Sequence, residues 1–218
     1  METLPEITGR IILVPTPIGN LTDITLRGLE ILRSADRIAC EDTRHSGQLL
    51  AHHGISGKPL ISLHDHNEAR RAPDLVAAAR AGETIAVISD AGMPGISDPG
   101  YRLVQLCIES GTPLEVLPGP SAVITALIGS GFPCHAFRFG GFLSVKSGKR
   151  RSALNAALES GETGIFFESP HRILSTLEIL AEINPQARTC VARELTKKFE
   201  TYHRGTAVEV LAHFKSHT

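Results

Sequence analysis

The sequence predicts an α/β protein in two parts, a parallel-sheet N-terminal domain over residues 1–131 and a mixed-sheet C-terminal domain over 132–218. Three observations predict it. Short apolar runs alternate five times with helix-length amphipathic segments in the first part, the rhythm of a parallel sheet with helical crossovers. The run "TIAVIS" (84–89) is apolar without alternation, as in a strand covered on both faces. Near residue 132 the texture changes, and "GSGFPCHAFRFGGF" is rich in glycine and aromatic residues.

In chain order, residues 10–14 form a short apolar strand, and 24–35 carry a helical stripe of Ile24, Leu29, Ile31 and Leu32. Residues 37–40 read as a strand, 47–53 as a helix stopped by Gly54, and 59–63 as a strand. Asn67 is the expected cap of a helix reaching Ala81, with Gly82 just beyond it. After strand 84–89, Asp98 and Pro99 have the chemistry of a helix start, leading to a helix over 99–110 closed by Gly111. Residues 114–117 are strand and 121–130 helix. The second part reads strand 136–139, basic loop, helix 150–159, strand 164–168, helix 170–183, strands 189–194 and 200–204, and helix 206–215.

The formal net charge of the 218-residue chain is −1, so no global basic field announces a nucleic-acid partner, although a local patch can suffice. Hydrophobic residues make up 42%, which favours a packed core over disorder. Cys40, Cys107, Cys134 and Cys190 are scattered without a C-x-x-C pair and are expected as buried thiols in a cytoplasmic protein. "METLPEITGR" has neither the basic start nor the apolar run of a signal peptide, and no stretch approaches the ~20 apolar residues of a membrane span.

Four loops follow strands of the first part: "PTPIGNLTD" (15–23), "EDTRHS" (41–46), "SDAGMPGISDPG" (89–100) and "PGPSA" (118–122). In a parallel sheet they share one edge, where open α/β sheets bind ligands. Tight strand-to-helix turns would explain any one of them; four together point to a shared pocket, with proline and glycine letting a ligand approach the backbone. The sequence carries no P-loop and no G-x-G-x-x-G after the first strand, and the Ser121 context misses the G-x-S-x-G elbow. His52-His53 and His64-Asp-His66 lack a wider ligand set, so no metal site is expected.

Seven motifs then occur in order: "LVPTPIGNLTDIT", "ACEDTRHSGQLL", "SLHDHNE", "VISDAGMPGISDPGYRLV", "LPGPSAVITAL", "FFESPHRI" and "ARELTKKFE". Together they resemble the tetrapyrrole methylase superfamily, and within it the RsmI branch of ribosomal small-subunit RNA 2′-O-methyltransferases. The resemblance spans nearly the whole chain. It implies the two-domain (class III) methyltransferase fold, S-adenosylmethionine in the cleft between domains, a homodimer, and a cytidine ribose in the decoding region of 16S RNA as substrate. Two features depart from the pattern. Members usually continue past the last helix into a basic turn and a final strand, whereas this sequence ends at Lys215-Ser-His-Thr218; either the chain is truncated or the second sheet is one strand short, and the C-terminal part of the cofactor pocket is in doubt. Met93 stands where a small polar residue is expected.

On that resemblance the cofactor site is expected at Pro15, Asp90, Ala91, Gly92, Leu117, Pro118, Gly119, Ser121 and Ala122, with Phe167 and Glu168 facing the adenine or ribose. Core packing is the equal alternative for Phe167. A ribose hydroxyl is a poor acid, so a carboxylate or neutral imidazole within hydrogen-bond reach would assist the transfer. Asp23, Glu41, Asp42, His45 and Glu194 are the candidates, with Arg44 beside them. Glu41-Asp42 with Arg44 equally reads as a structural ion pair, and water is an alternative proton acceptor. For RNA, "SVKSGKRR" gathers Lys146, Lys149, Arg150 and Arg151 on a loop entering a helix; Arg44, Arg70, Arg71, Lys197 and Lys198 can add to it, and Phe142 can stack on a base. Two other readings stay open: a methyltransferase of the same fold acting on a small tetrapyrrole or modified amino acid, and a nucleotide-binding protein without catalysis.

Overall fold

The computed structural model describes residues 9–216. The expectations for the first eight residues, and for the chain end at His217 and Thr218, fall outside the described residues. The chain divides into two compact units, Met1–Ser121 and Ala122–Thr218, so helix 122–130 groups with the second unit and the division lies upstream of residue 132.

The first unit runs β1 (Arg10–Leu13), α1 (Leu26–Ser34), β2 (Arg37–Cys40), α2 (Thr43–His52), β3 (Leu60–Ser62), α3 (Glu68–Arg80), β4 (Thr84–Ile88), α4 (Tyr101–Ser110) and β5 (Leu114–Val116). Its strands form one sheet in the order β3-β2-β4-β1-β5, every pair parallel. From β1 the chain moves to one edge through β2 and β3; after β4 it turns to the other edge at β5. β1 and β4 are therefore neighbours at the point where the winding reverses, the place where sheets of this kind open a crevice.

The apolar runs explain the layering. Successive side chains of a strand point to opposite faces. Ile11, Leu13, Ile85 and Val87 pack with Ala72, Leu75, Val76 and Ala79 of α3 and Leu103 and Cys107 of α4. Ile12, Val14, Ala86 and Ile88 pack on the other face with Leu32 of α1 and Leu50 of α2. Both faces are covered, as the unbroken run at 84–89 requires.

The second unit contains α5 (Ala122–Ser130), β6 (Phe137–Phe142), α6 (Ser147–Glu159), β7 (Thr163–Phe167), α7 (Ile173–Ile183), β8 (Arg188–Arg193), β9 (Thr201–Thr206) and α8 (Ala207–Ser216). β6 and β7 pair parallel, and β8 and β9 form an antiparallel hairpin.

Several local expectations are corrected. Helix α4 begins at Tyr101 rather than Pro99, with Gly100 at its N-cap. Asp98 does not cap it; the carboxylate of Glu68 does, accepting from the N–H of Gly100 at 2.9 Å and of Leu103 at 3.1 Å. Asn67 precedes α3 without capping it, because its side-chain oxygen accepts from His64 N–H and its amide donates to Ser62 O. Helix α6 starts at Ser147, so Lys149, Arg150 and Arg151 lie in its first turns and not on a loop. Helix α7 begins at Ile173, three residues after Pro170. Of the cysteines, Cys40 and Cys107 are buried, Cys190 is half-buried and Cys134 is exposed.

Candidate functional site

Parallel strands put the loops after β1, β2, β4 and β5 at one edge of the first unit, and specific bonds tie them together. Thr16 and Gly92 exchange two backbone hydrogen bonds, 2.9 Å and 3.0 Å. The Thr16 hydroxyl, buried, donates to Ser89 O at 3.0 Å. The backbone N–H of Asp42 donates to Asp90 Oδ1 at 3.1 Å. Gly119 lies against Pro15, where an added Cβ would stand 2.8 Å from the proline Cβ. Gly92 has φ +81°, a conformation open chiefly to glycine. Loops 15–23, 41–46 and 89–100 are thus bonded into one rim, and loop 118–121 packs on it through Gly119 and Pro15.

The rim is acidic. Burial, then the charges of Asp98 and Asp90, push the Glu41 carboxyl above the ordinary carboxylate range. Burial also raises Asp98, against a hydrogen bond from Ser89 that lowers it and with Asp90 and Asp65 adding to the rise. Asp42 behaves oppositely: hydrogen bonds from the Arg44 side chain and backbone hold its carboxyl down at about 2. That carboxylate accepts from Arg44 N, Nε and Nη2 at 2.8, 3.2 and 2.9 Å, and caps α2 in doing so. The structural ion pair weighed for Asp42 and Arg44 is therefore present. Asp23 stands exposed on a 3₁₀ turn over Leu21–Asp23, and no bond ties its side chain to this rim.

Leu117 is buried and offers only its backbone, whereas Pro118 and Gly119 are exposed and Ser121 half-buried. Ala122 is the first residue of α5, in the second unit.

Within the second unit, Phe167 is half-buried and packs edge-on against Phe139, with ring centroids 5.0 Å apart, and tilted against Phe142 at 5.3 Å. Glu168 is enclosed. Its carboxylate accepts from Arg172 Nη2 at 2.6 Å, Thr176 Oγ1 at 2.6 Å and Ser169 N at 2.8 Å, with Arg150 Nη1 at 3.8 Å. Arg150 is buried too and donates to Ser175 and Thr176 at 2.9 Å each. Glu168 and Arg150 are therefore parts of one internal network linking β7, α6 and α7; that network buries Arg150, against the expectation that it faces RNA, and engages the Glu168 carboxylate. Lys146 and Lys149 remain exposed, while Arg151 pairs with Glu182. Glu194 follows the end of β8, with its carboxylate 3.3 Å from Lys197 Nζ.

Sequence reasoning missed Thr16, Ser89 and Glu68. The signal for Glu68 was present. It shares the buried face of α3 with Ala72, Leu75, Val76 and Ala79, and a carboxylate on an apolar stripe demands a partner.

A doubly covered parallel sheet whose acidic, turn-built rim surrounds its winding reversal defines an α/β protein with a candidate small-molecule site at that edge. The family of tetrapyrrole (corrin/porphyrin) methylases matches residues 10–211, and the chain belongs to that family of S-adenosylmethionine-dependent methyltransferases. It is 50% identical over 208 residues to the Ribosomal RNA small subunit methyltransferase I of Escherichia coli O157:H7, covering 95% of this chain and 72% of that one. The protein of the same name from Hydrogenobaculum sp. (strain Y04AAS1) is 47% identical, covering 94% and 89%. Among solved structures, a diphthine synthase superposes with a TM-score of 0.73 at 14% identity, covering 93% of this chain and 84% of that one. The uroporphyrin III C-methyltransferase of Thermus thermophilus superposes with a TM-score of 0.63 at 18% identity, covering 94% and 92%. These two likenesses establish the fold.

Proposed function

We propose that this chain, as a homodimer in the cytoplasm, methylates the 2′-hydroxyl of a cytidine in 16S ribosomal RNA. The observation that carries the reading is the bonded rim of the first unit, taken with relatives named for the small-subunit RNA. Bound S-adenosylmethionine supplies an electrophilic methyl group on a sulfonium, and the molecule carries a net positive charge. An acidic rim of Glu41, Asp90 and Asp98 suits such a ligand, and the donor set fits it. Asp90 offers a carboxylate to an ammonium or hydroxyl. Gly92 and the segment Pro118–Gly119 offer bare backbone, with Pro15, Ala91 and Ser121 beside them. The Glu168 carboxylate is already engaged by Ser169 N–H, Thr176 and Arg172, so the donor set rests on the first unit.

The ribose proton must leave as the new C–O bond forms. Asp42, held at about 2, is a weak proton acceptor. Glu41 holds a proton more tightly than an ordinary carboxylate and is the better base of the two. Exposed Lys146 and Lys149 supply positive charge for phosphates.

The test is transfer of labelled methyl from S-adenosylmethionine to small ribosomal subunits lacking the modification. Label in a dinucleotide resistant to alkali supports ribose methylation. Label in a base overturns the 2′-O assignment, and label in no RNA overturns the ribosomal substrate. Sedimentation of the same preparation as a monomer at assay concentration overturns the homodimer.

A further inference from the structure

We propose that the tip of the β8–β9 hairpin is a stacking platform for an unpaired base of the RNA, with Phe199 as the contacting ring. This inference rests on the reading that the substrate is RNA. The tip, residues 194–200, is short and internally braced. Lys197 N–H donates to Glu194 O at 2.9 Å, Glu200 N–H to Lys197 O at 3.1 Å, and Thr196 N–H to a Glu200 carboxylate oxygen. Glu194 has φ +53° and Thr196 φ +62°. The left-handed region is sparsely occupied by residues other than glycine, asparagine and aspartate, and a β-branched threonine there is an outlier. Strain of this kind persists where surrounding structure holds it in place, and it concentrates at functional sites.

The bracing presents one large apolar group outward. Phe199 is 69% exposed, although it follows two lysines on a hairpin with no core of its own. Lys198 Nζ lies over one face of that ring, 5.5 Å from its centroid, and Lys197, exposed, pairs with Glu194 at 3.3 Å. An exposed ring with an ammonium over one face matches an unpaired nucleotide in both parts, the other face taking the base and Lys198 the neighbouring phosphate. Duplex RNA is a poorer match, since its bases are stacked away from such a ring. Phe142 is also exposed, but it already packs against Phe167.

The chain contains no tryptophan, so Phe199→Trp adds a single fluorophore at the tip. Titrating that variant with unmodified small ribosomal subunits should quench its emission. Phe199→Ala and Phe199→Leu should weaken RNA affinity by about 5- to 100-fold, leaving S-adenosylmethionine affinity and melting temperature unchanged. Parent-like affinity in Phe199→Ala, or no quenching in Phe199→Trp, overturns the platform while the RNA substrate stands. A lowered melting temperature in Phe199→Ala with full quenching in Phe199→Trp keeps it. If the parent itself transfers no methyl to RNA, the substrate reading fails and the platform falls with it.

Discussion

Asp90 accepts a hydrogen bond from the backbone N–H of Asp42 at 3.1 Å, so the loop after β4 holds the loop after β2 through a carboxylate also counted among the cofactor-binding groups. Charge and scaffold can be separated there. Asp90→Asn keeps an oxygen for the Asp42 N–H and loses only the charge. Asp90→Ala loses both. We expect Asp90→Asn to weaken S-adenosylmethionine binding with little change in melting temperature, and Asp90→Ala to weaken binding further and lower the melting temperature as well. Calorimetric titration beside a thermal melt reads both effects. An unchanged dissociation constant in Asp90→Ala removes Asp90 from the cofactor site.

Glu68 shows the same division in the core. Its carboxylate receives the Gly100 and Leu103 N–H groups that α4 cannot satisfy for itself. Glu68→Gln retains the accepting oxygen and should stay close to the parent. Glu68→Ala leaves two buried donors unpaired and should cost about 1–3 kcal/mol per donor not reached by water. Urea unfolding measures the difference. Equal stability of the two variants would mean that water replaces the carboxylate.

The sheet and the shared edge of its four turn-rich loops were legible because their rules are local. The alternation of Ile11 and Leu13 with Ile12 and Val14, all buried, needs only a strand period and two covering layers. Four turn-rich loops after parallel strands share an edge by topology alone. The start of α4 was not legible, because its cap comes from Glu68, more than thirty positions earlier in the chain. Arg150 was misread for a related reason. A run of lysine and arginine reads as a solvated face unless a distant carboxylate is known to lie beneath it, and Glu168 with Thr176 supplies that partner from β7's end and α7. The strain at Glu194 and Thr196 had no sequence signal at all, since neither residue type favours positive φ.

The acidic rim gives stability a definite pH dependence. Glu41 and Asp98 have folded-state pKa values raised above those of the unfolded chain, about 4. The folded state therefore holds their protons more tightly. The stability they contribute is full below about pH 4 and is lost as pH rises through their folded values. Asp42 has the opposite sign: its contribution is present above about pH 4 and is lost as pH falls toward about 2. Without cofactor, Asp98→Asn should raise the melting temperature at neutral pH, and the gain should vanish near pH 4. A gain that persists unchanged at pH 4 would show that Asp98 is not charged against its neighbours in the folded protein.

The basic stretch entering α6 should separate into two behaviours. Lys146 and Lys149 are exposed. Reversing both to glutamate should weaken RNA binding and flatten the dependence of log affinity on log salt, by about 0.7 for each phosphate of single-stranded RNA left without its lysine. Cofactor affinity and stability should not change. Arg150 sits in the buried network with Glu168, Arg172 and Thr176. Replacing it with methionine leaves Glu168 short of one cation, and removing one partner of a buried pair typically costs about 3–5 kcal/mol. Arg172 still bonds Glu168, so the loss should fall toward the lower end of that range. The signature of Arg150→Met is thus a lowered unfolding midpoint with an unchanged salt slope for RNA, the reverse of the lysine variant. A flattened salt slope with unaltered stability in Arg150→Met would place its guanidinium on the phosphates and contradict its enclosure.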